Sequence, residues 1–163
     1  MIGERGENLI TMLLTQKTSE GYLFRAAFLG DKWPTVDIYA EVIGETPRMF
    51  CFFQIKTTTL GYSKKQNQLK VQVSRKDLTE LGNYCAPTYL IGVDLNEEEI
   101  LASSVYVQNI KGSYEQGLSA MNTSFILNDA RLIALKNEVV KFWQSTDLIT
   151  YKLTHKSEFD AND

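Results

Sequence analysis

The stretch that decides the fold is residues 36–56, which read VDIYAEVIGETPRMFCFFQIK. Apolar and polar side chains alternate from Val36 to Val42, so positions 36, 38, 40 and 42 are expected to face one way and 37, 39 and 41 the other. Turn residues follow from Gly44 to Pro47. The next run, Met49–Lys56, has apolar residues on both faces of the strand that it would form, as in a strand at the centre of a sheet. The stretch therefore predicts an antiparallel hairpin inside a sheet.

The segments around this hairpin predict an α/β protein. Apolar residues at helical spacing predict a first helix at about residues 3–16 and a last helix at about 129–144. Ser74 followed by Asp77 resembles a capping box that opens a short helix. Strands are predicted at 22–28, at 89–93 and, more weakly, at 104–108, whereas the polar segment 61–68 is predicted to be a mobile loop. The order α-β-β-β-α-β, then a strand and a helix, predicts a mixed central sheet with flanking helices.

Length and composition limit the functions open to this chain. The 163 residues, 44% of them hydrophobic, predict one domain over residues 1–153 and a polar, disordered tail at 154–163. No stretch approaches the roughly 18 apolar residues that span a bilayer, so a cytoplasmic protein without a membrane partner is expected. The single histidine, His155, lies in the polar tail, which argues against a histidine-based triad, an HNH-type site or a multi-histidine zinc site within one chain. The net charge of −3 argues against a broad basic surface that coats nucleic acid.

The residues that could carry chemistry converge on the second strand of the hairpin. Gln54 and Lys56 are two apart, so their side chains leave the same face of that strand. A lysine that ends an apolar strand must reach water or meet an acid, and Asp37 and Glu7 are the acids available. Two carboxylates, the amide oxygen and the carbonyl of Ile55 make an all-oxygen set that suits Mg²⁺ or Mn²⁺.

These elements resemble the PD-(D/E)XK nucleases. Glu7 in residues 3–7 is similar to the helix acid of that superfamily, Asp37 in residues 35–38 to its metal-binding aspartate, and Gln54-Ile55-Lys56 to its (D/E/Q)-x-Lys element. The predicted α-β-β-β-α-β order matches the restriction-endonuclease-like αβββαβ core. The chain looks closest to a bacterial domain group of unassigned function with a Gln-x-Lys motif. Archaeal Holliday-junction resolvases and Mrr-like restriction domains are more distant relatives. The resemblance covers roughly residues 3–110.

The resemblance implies a Mg²⁺-dependent endonuclease that hydrolyses DNA and leaves 5′-phosphate ends, with a place in bacterial defence or mobile-element biology. Asp37 and Gln54 would bind the metal, with the Ile55 carbonyl, and Glu7 would act through a water or a second ion. Lys56 would orient or deprotonate the attacking water and stabilise charge on the phosphate. Gln54 replaces an acid of the family motif, so the site holds one fewer negative charge.

Four basic residues are candidates for binding DNA phosphates, and the site residues also have structural alternatives. The basic residues Lys64, Lys65, Arg75 and Lys76 are the candidates for phosphate binding, although a pair of loop lysines also serves solubility. Asp37 and Lys56 could instead form a structural ion pair, and Glu7 could be an ordinary acid at a helix start. The alternative function is a catalytically silent nuclease-fold module for binding or assembly. A homodimer or a larger defence complex is also predicted.

Overall fold

A computed structural model describes residues 2–105, 117–122, 126–147 and 154 of the chain. The helices in these ranges are α1 (Ile2–Thr15), α2 (Arg75–Gly82) and α3 (Asp129–Gln144). The strands are β1 (Lys17–Thr18), β2 (Gly21–Tyr22), β3 (Phe24–Phe28), β4 (Ile38–Val42), β5 (Phe50–Thr58), β6 (Gln68–Val73), β7 (Thr88–Asp94), β8 (Glu99–Ser104) and β9 (Leu118–Asn122). None of the described helices is long and apolar enough to cross a membrane. The predicted tail lies outside the described residues except for Thr154.

A five-stranded mixed sheet in the order β3-β4-β5-β7-β8 forms the centre of the fold. β5 and β7 run parallel, and the other neighbouring strands are antiparallel. The parallel pair requires a crossover connection, which β6 and α2 supply between the end of β5 and the start of β7. The predicted hairpin is confirmed, because Ile38 lies opposite Phe53 and Ala40 opposite Cys51. The predicted mixed α/β class with flanking helices is confirmed as well.

One face of this sheet, called the helix face below, is covered by α1 and α3. Ile10 and Leu14 of α1 are fully buried because their spacing of four residues places them on one side of the helix. They pack in a single core with Leu132 and Val139 of α3 and with Phe53 of β5. The apolar periodicity seen in the sequence therefore corresponds to the helix surfaces that close this face.

The opposite face, called the ribbon face below, is covered by α2 and by a two-stranded ribbon of β6 and β9. The buried side chains of the ribbon pack on β7 and α2 in a second core. Gly92 of β7 lets the ribbon approach closely, since a Cβ at that position would lie 2.6 Å from Met121 Sδ and 3.1 Å from Leu69 Cδ2. The two cores thus lie on opposite sides of the same sheet.

The largest difference from the sequence prediction is β6. Residues 61–68, predicted to be a mobile loop, form a tight turn in which Tyr62 pairs with Leu69 and the Ser63 N–H donates to the Gln68 carbonyl at 2.8 Å. β6 follows, with buried residues at 69, 71 and 73 alternating with Lys70 and Gln72 on the exposed side. This alternation was present in the sequence, but the strand that pairs with it, β9, is about 50 residues distant along the chain.

Smaller differences concern strand limits. The strand predicted at 104–108 is β8 at Glu99–Ser104, because pairing with β7 begins directly after the turn that follows Asp94; residues 106–108 lie outside the described ranges. The strand predicted at 22–28 is divided into β2 and β3. Val36 was expected to share the side of Ile38 but packs in the opposite core. The reason is that the chain joins the regular ladder only at Ile38, two residues later.

Candidate active site

Asp37 lies where β4 begins, beside β5. Its N–H donates to the Phe53 carbonyl at 2.9 Å and its own carbonyl accepts from the Leu29 N–H at 2.9 Å, so the residue is held between β5 and the end of β3. Before it the chain turns away through Thr35, which has a φ of 62°. The Ile55 N–H, beyond the last residue of β5 that pairs with β4, donates to Asp37 Oδ2 at 2.6 Å. The carboxylate thus takes the place of a strand carbonyl and is fixed against the main chain of β5.

Gln54 and Lys56 flank this anchoring point on β5. The Gln54 side chain is only 4% exposed, and its Oε1 has no hydrogen-bond partner within the described part of the chain. Leaving a buried acceptor unpaired costs about 1–3 kcal/mol, which is why such atoms are rare in folded proteins. The Lys56 side chain is 34% exposed and reaches the protein surface. A buried acceptor and a partly solvated cation therefore stand on either side of the Asp37 contact.

Glu7 is brought to the same end of β5 by a close approach of α1. Gly6 packs directly on Thr57, and a Cβ at position 6 would overlap the Thr57 hydroxyl. Only glycine permits this contact, so the helix lies unusually close to the strand beside the following residue, Glu7. Glu7 is half-buried there. The sequence predicted that Glu7 lies at the edge of the apolar side of the helix. It did not show that Gly6 lets the helix approach β5.

Both acids of the site are shifted towards the protonated form. Burial raises the pKa of Asp37 above its ordinary value, while the hydrogen bond from Ile55 and the charge of Lys56 act in the opposite direction. Burial and then the Asp37 carboxylate raise the pKa of Glu7. Asp31 raises the pKa of both groups, although sequence reasoning did not include it in the site. Carboxyl groups that repel one another in this way gain from a bound cation.

Lys56 makes its ion pair with a residue that sequence reasoning assigned elsewhere. Its Nζ lies 3.7 Å from Asp77 Oδ2 of α2. Asp77 was predicted only as part of a capping box, and the Ser74 side chain does accept from the Asp77 N–H at 3.0 Å. The structural alternative, an ion pair between Asp37 and Lys56, is therefore replaced by a hydrogen bond of Asp37 to the main chain and a pair of Lys56 with α2.

The four predicted phosphate contacts lie at the two ends of β6. Lys64 and Lys65 are exposed at the tip of the turn that precedes the strand, and Arg75 and Lys76 are exposed in the first turn of α2, after it. Lys76 pairs weakly with Glu80 at 3.9 Å on the same helix. The structure thus places Asp37, Ile55, Gln54 and Lys56 along the second half of β5, with Glu7 approaching the same stretch from α1, and it places the basic residues at the two ends of β6.

The oxygen donors around the second half of β5 are of the type that suits a hard cation. Within the described ranges no group of three or more His, Cys, Asp or Glu side chains is arranged to hold an ion. The oxygens available are the carboxylates of Asp37 and Glu7 and the buried amide oxygen of Gln54. Oxygen donors suit Mg²⁺ or Mn²⁺, which keep several waters, and coordination would satisfy the otherwise unpaired Gln54 Oε1. The carbonyl of Ile55 stays a predicted ligand.

Comparison with known proteins supports the fold and goes no further. No protein-family model matches the chain, and no curated protein matches its sequence. The mixed sheet with flanking helices is a fold that a known nuclease shares. That solved structure, a nuclease from a fusselovirus, is similar with a TM-score of 0.50 and 14% identity, over 89% of this chain and 95% of that one. At this identity the similarity concerns the fold alone.

Proposed function

We propose that the chain is a nuclease of the PD-(D/E)XK type, an endonuclease that hydrolyses DNA with Mg²⁺ or Mn²⁺. The observation that carries the proposal is the buried, unpaired amide oxygen of Gln54, on the residue next to the Ile55 N–H that anchors the Asp37 carboxylate and two positions before Lys56. Such an oxygen is costly without a ligand and useful with one. The fold shared with a viral nuclease supports the same function.

The ion would be held by Asp37 and Gln54, with the Ile55 carbonyl and with Glu7 acting through a water or a second ion. Ile55 donates only to Oδ2 of Asp37, and no described residue hydrogen-bonds to Oδ1, so one carboxylate oxygen stays available. When bound, the ion polarises the scissile phosphate and lowers the pKa of a bound water. The anchored carboxylate needs little reorganisation to accept it.

Lys56 supplies the remaining chemistry. Its ammonium group can orient the attacking water and donate to a phosphate oxygen as negative charge develops there. Hydrolysis adds the water oxygen to phosphorus and breaks the bond to the 3′ oxygen, which leaves a 5′-phosphate end. Because the Lys56 side chain is one-third exposed, a phosphate can approach it from solvent.

A second candidate function is a nuclease-fold module that binds or assembles without cleaving. Two observations favour it: Gln54 supplies no negative charge where an acid would, and Lys56 is already paired with Asp77. A weaker charge on the site lowers its affinity for the ion. This candidate predicts binding without turnover.

The test is cleavage of supercoiled plasmid with Mg²⁺, with Mn²⁺ or with a chelator. Wild-type protein should nick or linearise the plasmid only when an ion is present. Asp37→Asn and Lys56→Ala should each lower the rate about 100-fold or more, the usual effect of removing a metal ligand or a charge-stabilising donor. Cleavage that survives both substitutions would remove the site from consideration. Plasmid left intact by wild-type protein with every ion would favour the binding module.

Glu41→Gln is the matched control. Glu41 lies on β4, as a carboxylate four residues after Asp37, but it pairs with Arg48 at 2.8 Å and accepts from the Tyr39 hydroxyl at 2.9 Å. Its replacement should leave the rate within about twofold of wild type, because a surface ion pair contributes little. If Glu41→Gln lost as much rate as Asp37→Asn, replacing any acid on β4 would have the same effect, and the loss would not identify Asp37 as a metal ligand.

A further inference from the structure

Basic residues are concentrated in one continuous segment of this acidic chain. Residues 46–76 contain seven lysines and arginines and no aspartate or glutamate. The other ten basic residues and all 20 acidic residues lie outside this segment. The segment contains β5, the turn with Lys64 and Lys65, β6 and the start of α2. The net charge of −3 therefore hides an uneven distribution of charge along the sequence, and in the fold Arg48, Lys56 and Lys76 pair with acids from outside the segment.

The structure folds part of this segment into a groove beside the candidate active site. The groove has a volume of about 470 Å³ and is lined by Lys56, Lys70 and the polar side chains of Thr58, Gln72 and Ser119. None of the described residues that line it is acidic. Lys70 lies on the exposed side of β6 and forms no ion pair with any residue in the described ranges.

A second hollow extends this groove towards α2. Its volume is about 620 Å³, and it shares Gln72 and Ser119 with the first before reaching Ser74, the residue that caps α2. The two hollows together follow the exposed side of β6 towards the helix start, where Asp77 of the first turn pairs with Lys56. Lys64 and Lys65 lie before one end of β6, and Arg75 and Lys76 lie after the other.

We propose that the exposed side of the β6–β9 ribbon is the track for the DNA backbone, with Lys70 as its central phosphate contact. This proposal rests on the proposed nuclease function and adds to it the path by which the substrate reaches Lys56. Cations and neutral hydroxyl or amide groups without acids match a chain of phosphates and carry no sequence information. Binding along the ribbon is therefore independent of base sequence.

The length of the track is sufficient for several phosphates. β6 has six residues, which at roughly 3.3 Å each extend about 20 Å. Phosphates of one DNA strand rise by about 3.4 Å each along the helix axis but also wind around it, so β6 faces several of them and fewer than six. The track ends at Lys56, which is the only member assigned to both the groove and the catalytic group.

The test measures binding of a fluorescein-labelled DNA duplex of about 20 base pairs by anisotropy, with Ca²⁺ in place of Mg²⁺ and over a range of salt concentrations. Lys70→Ala should lower the slope of log K against log salt concentration by about 0.9, because one phosphate contact is lost. At 0.1 M salt this corresponds to roughly eightfold weaker binding. Lys70→Gln keeps the aliphatic stem over the ribbon and should have the same effect.

Lys141→Ala is the control, since Lys141 is an exposed lysine of α3 on the helix face. It should change neither the slope nor the affinity. Equal results for the Lys70 and Lys141 variants, or no binding by wild-type protein, would overturn the track. Plasmid that stays uncut while Lys70 still controls binding would reject the nuclease function and keep the track. Cleavage together with binding that does not depend on Lys70 would reject the track and keep the nuclease function.

Discussion

The two faces of the central sheet differ in what closes them. On the helix face, α1 and α3 bury a continuous apolar core that includes Phe53. On the ribbon face, β6, β9 and α2 bury a smaller core and leave polar groups at its margin, among them Gln54 and Lys56. β5 contributes alternate residues to both faces. β5 thus carries much of the apolar core on one side and Gln54 and Lys56 on the other, while Glu7 approaches its end from the helix face.

The difference teaches that the candidate site includes a buried polar group whose hydrogen bonding is incomplete. On the helix face apolar side chains pack against one another. On the ribbon face Gln54 is buried without a described hydrogen-bond partner, and Lys56 pairs with Asp77 of α2. Polar groups held in this way cost stability unless a ligand or substrate uses them. The predictions below test whether the two faces of β5 differ as described.

The largest expected effect is on the helix face. Phe53→Ala should lower the free energy of unfolding by about 3–5 kcal/mol, because Phe53 is fully buried. Phe52→Ala, the adjacent residue on the ribbon face, should cost clearly less, since Phe52 is half-buried against Tyr39 and Tyr84. Urea denaturation of both variants measures the difference. Equal losses would show that the two faces contribute alike to stability.

The next effect concerns the contact that places Glu7. Gly6→Ala should lower the free energy of unfolding by about 1–3 kcal/mol, because the new methyl group overlaps Thr57. Thr57→Ala in the same protein should recover part of this loss. Gly3→Ala is the control: nothing lies within 4 Å of a Cβ there, so that variant should be stabilised by up to about 1 kcal/mol. A stabilising Gly6→Ala would contradict the close approach of α1.

A smaller effect of opposite sign is expected at Gln54. Gln54→Leu removes an unpaired buried amide and should leave stability unchanged or raise it by about 1 kcal/mol without metal. It should also abolish the rise in Tm on addition of Mg²⁺. Thr88→Val is the control, since the Thr88 hydroxyl is likewise buried without a described partner but lies outside the site. Thermal melts with and without Mg²⁺ distinguish the Gln54→Leu and Thr88→Val variants. If both variants lost the Tm shift with Mg²⁺, Gln54 would not be identified as a ligand.

The smallest effect is a pH dependence. The pKa values of Asp37 and Glu7 are raised in the folded protein, so their contribution to stability is present at low pH and is lost as pH rises through the folded pKa. Metal-free protein should therefore lose stability as pH rises above the ordinary carboxyl pKa of about 4, and the Tm shift with Mg²⁺ should grow over the same rise in pH. Asp37→Asn should flatten both trends. A Mg²⁺ shift that is the same at every pH would mean that these carboxylates do not bind the ion.

Much of the fold was predictable because it depends on local patterns. The alternation at 36–42 and the apolar run after it predicted the hairpin, and helical spacing predicted α1 and α3 within a residue or two. β6 was missed although Leu69, Val71 and Val73 alternate correctly. The polar residues before it indicated a loop, and its partner β9 is remote in the sequence.

The candidate site was predictable only as a set of residue types. The two-residue spacing of Gln54 and Lys56 determined that they share a face of β5. The pairing of Lys56 with Asp77 depends on the crossover that lays α2 over the sheet. Asp77 fits a capping box equally well in the sequence, so nothing local distinguished the two roles.

The sequence by itself determined the three helices and the hairpin of β4 and β5, which of their sides are apolar, and which residues could bind a cation, because these follow from spacing and chemical type along a short stretch. The tertiary structure decided that Asp37 anchors on the Ile55 N–H, that Gly6 brings Glu7 to β5, and that Lys56 and Lys70 face one groove. Each of these depends on contacts between segments that are distant in the chain. Their geometry is set by the packing of whole elements, which no local pattern encodes.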